Sequence, residues 1–179
     1  LGAALLLGIL LGVRHDLGAA VLLPMFWVKL AFVACVAVAS LLVMLRLSRP
    51  GLRLAWAPGA LAAPMLAMWV LAAFALMRAD PAQRAWLFFG DTWTSCPFLV
   101  ALLSAPVFAA VLWAVRGLAP TRLRLAGAAA GLLSGAVGAL VYSLHCPELA
   151  APFLAFWYLL GMLIPTAAGV LLGPRVLRW

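Results

Sequence analysis

Charged residues are scarce in this chain, and acidic residues are the scarcest. Only 9% of the 179 residues are charged, and Asp and Glu together number four, whereas roughly a quarter of an ordinary globular domain is charged. Hydrophobic residues make up 69% of the chain. This composition argues against a soluble domain and predicts an integral membrane protein with helical spans, because lipid cannot satisfy open backbone hydrogen bonds.

The sequence also lacks the common catalytic motifs. It contains no glycine-rich phosphate loop, no paired carboxylates and no plausible Ser/His/Asp set. We expect Lys29 to extend to the membrane surface from a span that starts near Met25, and no other Asp, Glu, Lys, Arg or His lies inside a predicted span. Coupled transporters depend on such intramembrane groups, so this class is disfavoured, and the chain is not expected to be an enzyme.

Hydropathy predicts an all-α polytopic membrane protein, with residues 1–179 forming a single six-helix transmembrane domain. One crossing takes about 20 residues, because a helix rises about 1.5 Å per residue and the hydrocarbon core is about 30 Å thick. The predicted spans are approximately 1–13, 26–45, 58–77, 96–115, 125–144 and 152–172. The first span is short, so we expect earlier residues to complete it.

The net charge of +8 is distributed unevenly between the predicted connections. Eight arginines occupy alternate connections and the C-terminal tail, namely Arg46, Arg49, Arg53, Arg116, Arg122, Arg124, Arg175 and Arg178. The other four basic residues share the remaining connections with all four acidic residues. The positive-inside rule therefore predicts that the eight arginines, and with them the N- and C-termini, lie on the cytoplasmic side of the membrane. Direct nucleic-acid binding is disfavoured, because no basic and aromatic interleaving accompanies the charge.

Two of the three cysteines form the most informative pattern. Cys96 and Cys146 each precede a proline and stand 50 residues apart, which two spans and one turn would fill. This spacing predicts that both thiols lie on the non-cytoplasmic face. Proline favours the first helical position, so each cysteine is predicted at a helix N-cap, accessible to solvent, where the positive helix end would stabilise a thiolate.

The surroundings of this pair leave its chemistry open. A reversible or structural disulfide, a metal site and two unlinked cysteines are all compatible with the sequence. His145 could join the two sulfurs as a ligand for a metal such as Zn, Cd or Cu, with Glu148 and Asp91 nearby. No resident cofactor is expected, and heavy-metal binding at the two cysteines would be transient. The third cysteine, Cys35, is predicted to be a small buried residue in the middle of the second span.

Small residues and prolines mark the later spans. Gly127, Gly131 and Gly135 recur every four residues, so they line one helix face and allow a neighbouring backbone to approach closely. Pro106 and Pro165 lie near the middle of their spans, where a proline removes one helical hydrogen bond and favours a kink. These two prolines are candidate hinges, and the glycine face is the candidate rigid partner.

A short helix is predicted in the connection before Cys96. Asp80 and Pro81 could cap and start it, and Gly90 could end it. An ordinary aromatic loop is the alternative for this segment.

Several segments together resemble a known family. They are residues 90–96 (GDTWTSC), 119–122 (APTR), the glycine-rich fifth span, 142–148 (YSLHCPE), 156–158 (FWY) and 173–179 (GPRVLRW). Over nearly the whole chain these segments resemble the NrsF-type membrane anti-sigma factors. The two cysteine-containing segments and their spacing are the most specific part of the resemblance.

The resemblance implies a location in the bacterial inner membrane and a function. Such proteins have six spans and a short cytoplasmic N-terminal segment that sequesters an extracytoplasmic-function (ECF) sigma factor, and that segment would precede Leu1. It also implies that Cys96 and Cys146 respond to heavy-metal or oxidative stress. A membrane thiol-disulfide oxidoreductase and a small transporter or scaffold are the alternatives, but the chain has no Cys-x-x-Cys pair to pass electrons on.

Overall fold

The computed structural model describes residues 2–12, 14–48, 55–118 and 120–178. These residues are almost entirely helical. The helices are α1 (Gly2–Leu10), α2 (Leu17–Ala20), α3 (Pro24–Leu47), α4 (Ala57–Arg78), α5 (Pro81–Phe89), α6 (Cys96–Arg116), α7 (Leu123–Tyr142) and α8 (Ala151–Val176). Helix α8 contains a π-helical turn at Leu154–Tyr158.

Five helices, α3, α4, α6, α7 and α8, are long and apolar enough to cross a membrane. The predicted bounds of these five spans agree with the helices to within a few residues. The prediction of a sixth span is wrong for the described residues, because α1 has nine residues and rises only about 14 Å. Helix α1 covers part of the depth of the bundle. Its Gly2 lies against Pro106 of α6, and shortly after its end the Arg14 N–H donates to the Leu144 carbonyl at 3.1 Å.

Helix α7 occupies the centre of the bundle and packs against α3, α6 and α8. Its glycine face lies directly on the backbone of α8: a Cβ on Gly127 would overlap the Gly169 carbonyl, and a Cβ on Gly131 would overlap the Pro165 carbonyl. Gly135 meets Met162 in the same way. The pairs run in opposite directions along the two helices, so α7 and α8 are antiparallel. The predicted close approach at this face is confirmed.

Both mid-span prolines lie inside continuous helices. Pro106 is within α6 and Pro165 is within α8. Pro165 packs against Gly131, so this proline belongs to the tightest helix contact of the bundle. Its role as a hinge stays a prediction, as does that of Pro106.

The two ends of the bundle differ in charge. Basic residues stand at the ends of α3, α6 and α8 and around the start of α7, namely Arg46, Arg116, Arg122, Arg124, Arg175 and Arg178. The end of α3 meets the starts of α4 and α7 in one apolar groove, which places these residues at one end of the bundle. We call it the arginine end. Arg49, Arg53 and Ala119 lie outside the described residues.

The opposite end, the thiol end, carries Cys96, Cys146 and the short helix α5. The prediction of this helix is confirmed, since it begins at Pro81 and Gly90 follows its last residue, although the Asp80 side chain makes no capping bond. An aromatic cluster joins α5 to the π-helical turn of α8, comprising Phe88, Phe89, Trp93, Phe156 and Trp157. The Trp157 indole N–H donates to the Phe88 carbonyl at 2.9 Å, so the turn before Cys96 is held against α8.

Cys35 does not occupy the predicted buried position. Its side chain is exposed on α3, beside a shallow apolar groove that α4 borders with Pro64, Ala67, Met68 and Leu71. The expectation of a buried residue failed because α4 leaves this strip of α3 uncovered.

Candidate functional site: a buried thiol pair

Cys96 is the first residue of α6, and Pro97 follows it in the first turn. The Cys96 N–H donates to the Thr92 carbonyl at 2.9 Å, so the thiol is fixed where a tight turn becomes a helix. The predicted place at a helix start is correct to one residue, because Ser95 is the N-cap.

Cys146 lies in an irregular segment between α7 and α8. Its N–H donates to the Tyr142 carbonyl at 2.9 Å, which continues the end of α7 by one turn. The predicted N-cap position is wrong, because α8 begins only at Ala151. Pro147 therefore does not start a helix, and the positive end of α8 is not what stabilises this thiol.

The two thiols meet at the thiol end. Their side chains are close enough to interact with each other, as the spacing of their spans predicts. The expectation that they are accessible is wrong, since Cys96 and Cys146 are each 0% exposed. The side chains of Lys29, Tyr142 and Tyr158 lie beside the pair, so a reagent reaches the sulfurs only if it is small or if this end of the bundle opens.

Lys29 is the residue of the site that the sequence reasoning misplaced. Its side chain does not extend to the surface and is 0% exposed. The Nζ atom donates to the carbonyl oxygens of Cys146 and Glu148, both at 3.0 Å, and lies 5.0 Å from the centre of the Tyr158 ring. The sequence signal that could have indicated this position is a single lysine five residues into a span. A cation at that depth requires compensating partners, which suggests a polar site inside the bundle.

This environment makes the two thiols unequal. A hydrogen bond from the Cys96 thiol, together with the positive charge of Lys29, holds the pKa of Cys146 well below its ordinary value, although desolvation acts in the opposite direction. Thiolates are the reactive form of cysteine. Cys146 is therefore the more acidic of the two thiols, and Cys96 is placed to donate to it.

Tyr158 closes the site from α8. It belongs to the π-helical turn Leu154–Tyr158, a local widening that often occurs at functional sites. The ring is 0% exposed. Its hydroxyl faces Cys146 and Ser143 but makes no hydrogen bond of good geometry within the described residues, so its donor is available to the Cys146 sulfur.

Glu148 ties the Cys146 segment to the turn before Cys96. Its carboxylate Oε1 accepts a hydrogen bond from the Asp91 N–H at 2.8 Å, and a Cβ on Gly90 would lie only 2.7 Å from this carboxylate. Gly90 has a φ of +55°, which glycine adopts readily. Burial raises the pKa of Glu148. The carboxylate thus serves as a tie between the two cysteine segments, and the Asp91 side chain is exposed.

The His145 side chain contacts the segment that follows α1. Its Nδ1 lies 3.0 Å from the Gly12 carbonyl oxygen, and its ring is 5.8 Å from the ring of Tyr142. The described residues contain no group of three His, Cys, Asp or Glu side chains placed to hold a metal ion. The ligands that this site could provide to a soft metal ion are therefore the two cysteine sulfur atoms.

Arg14 lies close to the same segment but is already paired. Its guanidinium forms a salt bridge with Asp16 at 2.5 Å, and Nη1 is 3.4 Å from the Cys146 carbonyl oxygen. Its charge is thus balanced locally, which distinguishes it from Lys29.

Comparisons with known proteins agree with the resemblance noted in the sequence. A family model described as "Negative regulator of sigma F" (NrsF) matches residues 1–179. The chain is 66% identical over 178 residues to the probable anti-sigma-F factor NrsF of Azospira oryzae, with 99% of this chain and 84% of that protein covered. It is 44% identical over 183 residues to the anti-sigma-F factor NrsF of Caulobacter vibrioides, with 99% and 85% covered. No solved structure matches.

Proposed function

Because the chain belongs to the NrsF family of negative regulators of sigma F, we propose that it is an inner-membrane anti-sigma factor that releases an ECF sigma factor under heavy-metal or oxidative stress. The observation that carries the sensing role is the meeting of Cys96 and Cys146 beside a buried lysine. Thiolates are the reactive form of cysteine, and the positive charge of Lys29 favours a thiolate at Cys146.

Membrane insertion is supported by the five long apolar helices and by their uneven charge. With the arginine end in the cytoplasm, the thiol pair faces the periplasm. That compartment permits reversible thiol oxidation. The stimulus then reaches the sulfurs without entering the cytoplasm.

The sigma factor is held at the opposite end of the bundle. We assign its binding to a cytoplasmic segment preceding Leu1, as the family resemblance implies. The relatives from Azospira and Caulobacter are longer than the matched region, which leaves room for such a segment. Signalling therefore has to pass along the helices from the thiol end to the arginine end.

A two-state bundle provides that link. Oxidation or metal capture joins Cys96 on α6 to the segment between α7 and α8. This link shifts the equilibrium between the two states of the bundle only if the joined sulfurs fit one state better than the other. Pro106 and Pro165 are the proposed bending points. The contact of Gly127 with Gly169 keeps α7 and α8 together while α6 moves.

The test is expression of a sigma-dependent reporter in cells that carry the full natural chain, treated with cadmium or chromate. Cys96→Ser and Cys146→Ser should each abolish induction, whereas Cys35→Ser, a cysteine on the surface of α3, should leave it intact. Normal induction in both single variants would remove the sensing role. Reporter activity that stays low when the whole gene is deleted would remove the anti-sigma role.

A further inference from the structure

Lys29 is the only described cation near the thiols without a carboxylate partner. Arg14 is paired with Asp16. Glu148 offers Lys29 its backbone carbonyl, while its carboxylate is used by the Asp91 N–H. A buried ammonium without a counter-charge is unstable, so its negative partner has to be found among the groups that it faces.

The geometry around Nζ points to one such partner. An ammonium has three N–H donors, and the carbonyls of Cys146 and Glu148 accept two of them at 3.0 Å. The third faces the Tyr158 ring and the Cys146 sulfur. Two carbonyls alone would suit a neutral amine, but the ring face and the sulfur favour a cation.

We propose that Lys29 is the counter-ion that makes Cys146 the attacking thiolate and leaves Cys96 as the resolving thiol when a hydroperoxide oxidises the pair. This inference rests on the proposed sensing function and assigns different tasks to its two cysteines. Lys29 acts in two ways: its charge stabilises the Cys146 thiolate, and its ammonium group supplies a proton to the oxygen that leaves.

The reaction balances with the groups present and one hydroperoxide. The Cys146 thiolate attacks the distal oxygen, so that an S–O bond forms, the O–O bond breaks and Cys146 becomes a sulfenic acid. Cys96 then attacks that sulfur, so that the S–S bond forms and hydroxide leaves with the Cys96 proton as water. The alkoxide from the first step takes a proton from Lys29. Two sulfurs are oxidised and one peroxide is reduced to an alcohol and water.

Lys29 is also where oxidation becomes a structural signal. Lys29 has by then given its proton to the alkoxide, and because the disulfide is neutral, no negative partner favours taking a proton back. The neutral amine binds the two carbonyls and the Tyr158 ring more weakly than the ammonium does. The start of α3 is then released from the Cys146–Glu148 segment, which loosens a contact that joins α3 to the connection between α7 and α8.

Other titratable groups face Cys146 and have to be held constant in any test. They are Cys96 on α6, Tyr142 on α7, Tyr158 on α8, Arg14 after α1 and Glu148 on the same segment. None of them is changed in the comparison of Lys29 variants.

The first measurement needs no substitution of Lys29. The purified full chain in detergent is treated with hydrogen peroxide and dimedone, which traps sulfenic acids, in the Cys96→Ser and Cys146→Ser backgrounds. We expect an adduct on Cys146 when Cys96 is absent and none on Cys96 when Cys146 is absent. An adduct mainly on Cys96 would overturn the assignment even if no Lys29 variant can be purified.

The second measurement isolates the charge. Lys29→Gln keeps a hydrogen-bond donor but is neutral, so alkylation of Cys146 by iodoacetamide should shift to higher pH and slow by about tenfold or more at mildly acidic pH. Arg84→Gln is the matched control, because Arg84 also donates to a backbone carbonyl at this end but is exposed. An unchanged pH profile in Lys29→Gln would overturn the proposal.

The two proposals fail in different ways. Both measurements use purified protein without a sigma factor, so asymmetric thiol chemistry with no reporter response would contradict the proposed function alone. A normal reporter response with equal thiols would contradict the role of Lys29 alone.

Discussion

Gly127 of α7 and Gly169 of α8 face each other so closely that a Cβ on either would overlap the carbonyl of the other. We predict that Gly127→Ala forces the two helices apart and costs about 1–3 kcal/mol, the usual range for overpacking. Thermal unfolding of the purified chain in detergent measures this change.

The control for Gly127→Ala is Gly8→Ala in α1, where a Cβ would meet nothing within 4 Å. Alanine is favoured over glycine in a helix by up to about 1 kcal/mol, so Gly8→Ala should be neutral or mildly stabilising. Equal stability of the two variants would mean that α7 and α8 are not in backbone contact.

Gly90 controls how the two cysteine segments are tied together. Gly90→Ala places a methyl group on the Glu148 carboxylate and should break the bond from the Asp91 N–H, which loosens Cys146 relative to Cys96. We expect slower disulfide formation with diamide and faster alkylation of both thiols by iodoacetamide. Mass spectrometry of the cysteine peptides measures both rates.

Gly12→Ala separates this effect from backbone strain. Gly12 also has a positive φ, +72°, but a Cβ there would have no neighbour within 4 Å. Both variants therefore carry backbone strain, of about 1–3 kcal/mol each, and only Gly90→Ala displaces Glu148. Identical thiol reactivity in the two variants would show that the Glu148 tie has no influence on the pair.

Connectivity explains why the meeting of the thiols could be predicted. Two apolar helices of known length and one short turn return the chain to the same face, and the lengths follow from hydropathy alone. The close contact of α7 with α8 could likewise be predicted in part, because the spacing of Gly127, Gly131 and Gly135 marks a face without side chains. The partner helix of that face could not be named.

The depth of the site could not be predicted from local patterns. Whether Lys29 extends to the surface or turns inward depends on two carbonyls that lie more than a hundred residues later in the chain. The π-helical turn that brings Tyr158 to the site has no clear sequence signal. Cys146 is not an N-cap because Pro147 lies inside an irregular segment and α8 begins only at Ala151, whereas the rule about proline at helix starts assumes that a helix begins at the proline.

Glu148 should make the stability of the chain depend on pH. Burial raises the pKa of this carboxyl above its ordinary value of 4.5, so the folded chain holds the proton more tightly than the unfolded chain does. The free energy of unfolding therefore falls as the pH rises from the ordinary pKa of the carboxyl group through its raised pKa. Glu148→Gln should flatten this part of the profile of melting temperature against pH in detergent.

Asp80→Asn is the control for this pH dependence. Asp80 is an exposed carboxylate at the same end of the bundle, and its side chain makes no capping hydrogen bond. If the slope persists in Glu148→Gln, another group causes it and the buried carboxyl does not.

The orientation of the bundle can be read from single introduced cysteines. In a chain whose own cysteines are replaced by serine, we expect Gln83→Cys on α5 to react with a membrane-impermeant maleimide once the outer membrane is made permeable. Thr121→Cys, next to the start of α7, should react only after the inner membrane is broken. Both side chains are exposed, so differences in labelling report the side of the membrane. The opposite pattern would place the thiol pair in the cytoplasm, where reducing conditions oppose disulfide formation, and would remove the periplasmic part of the sensing proposal.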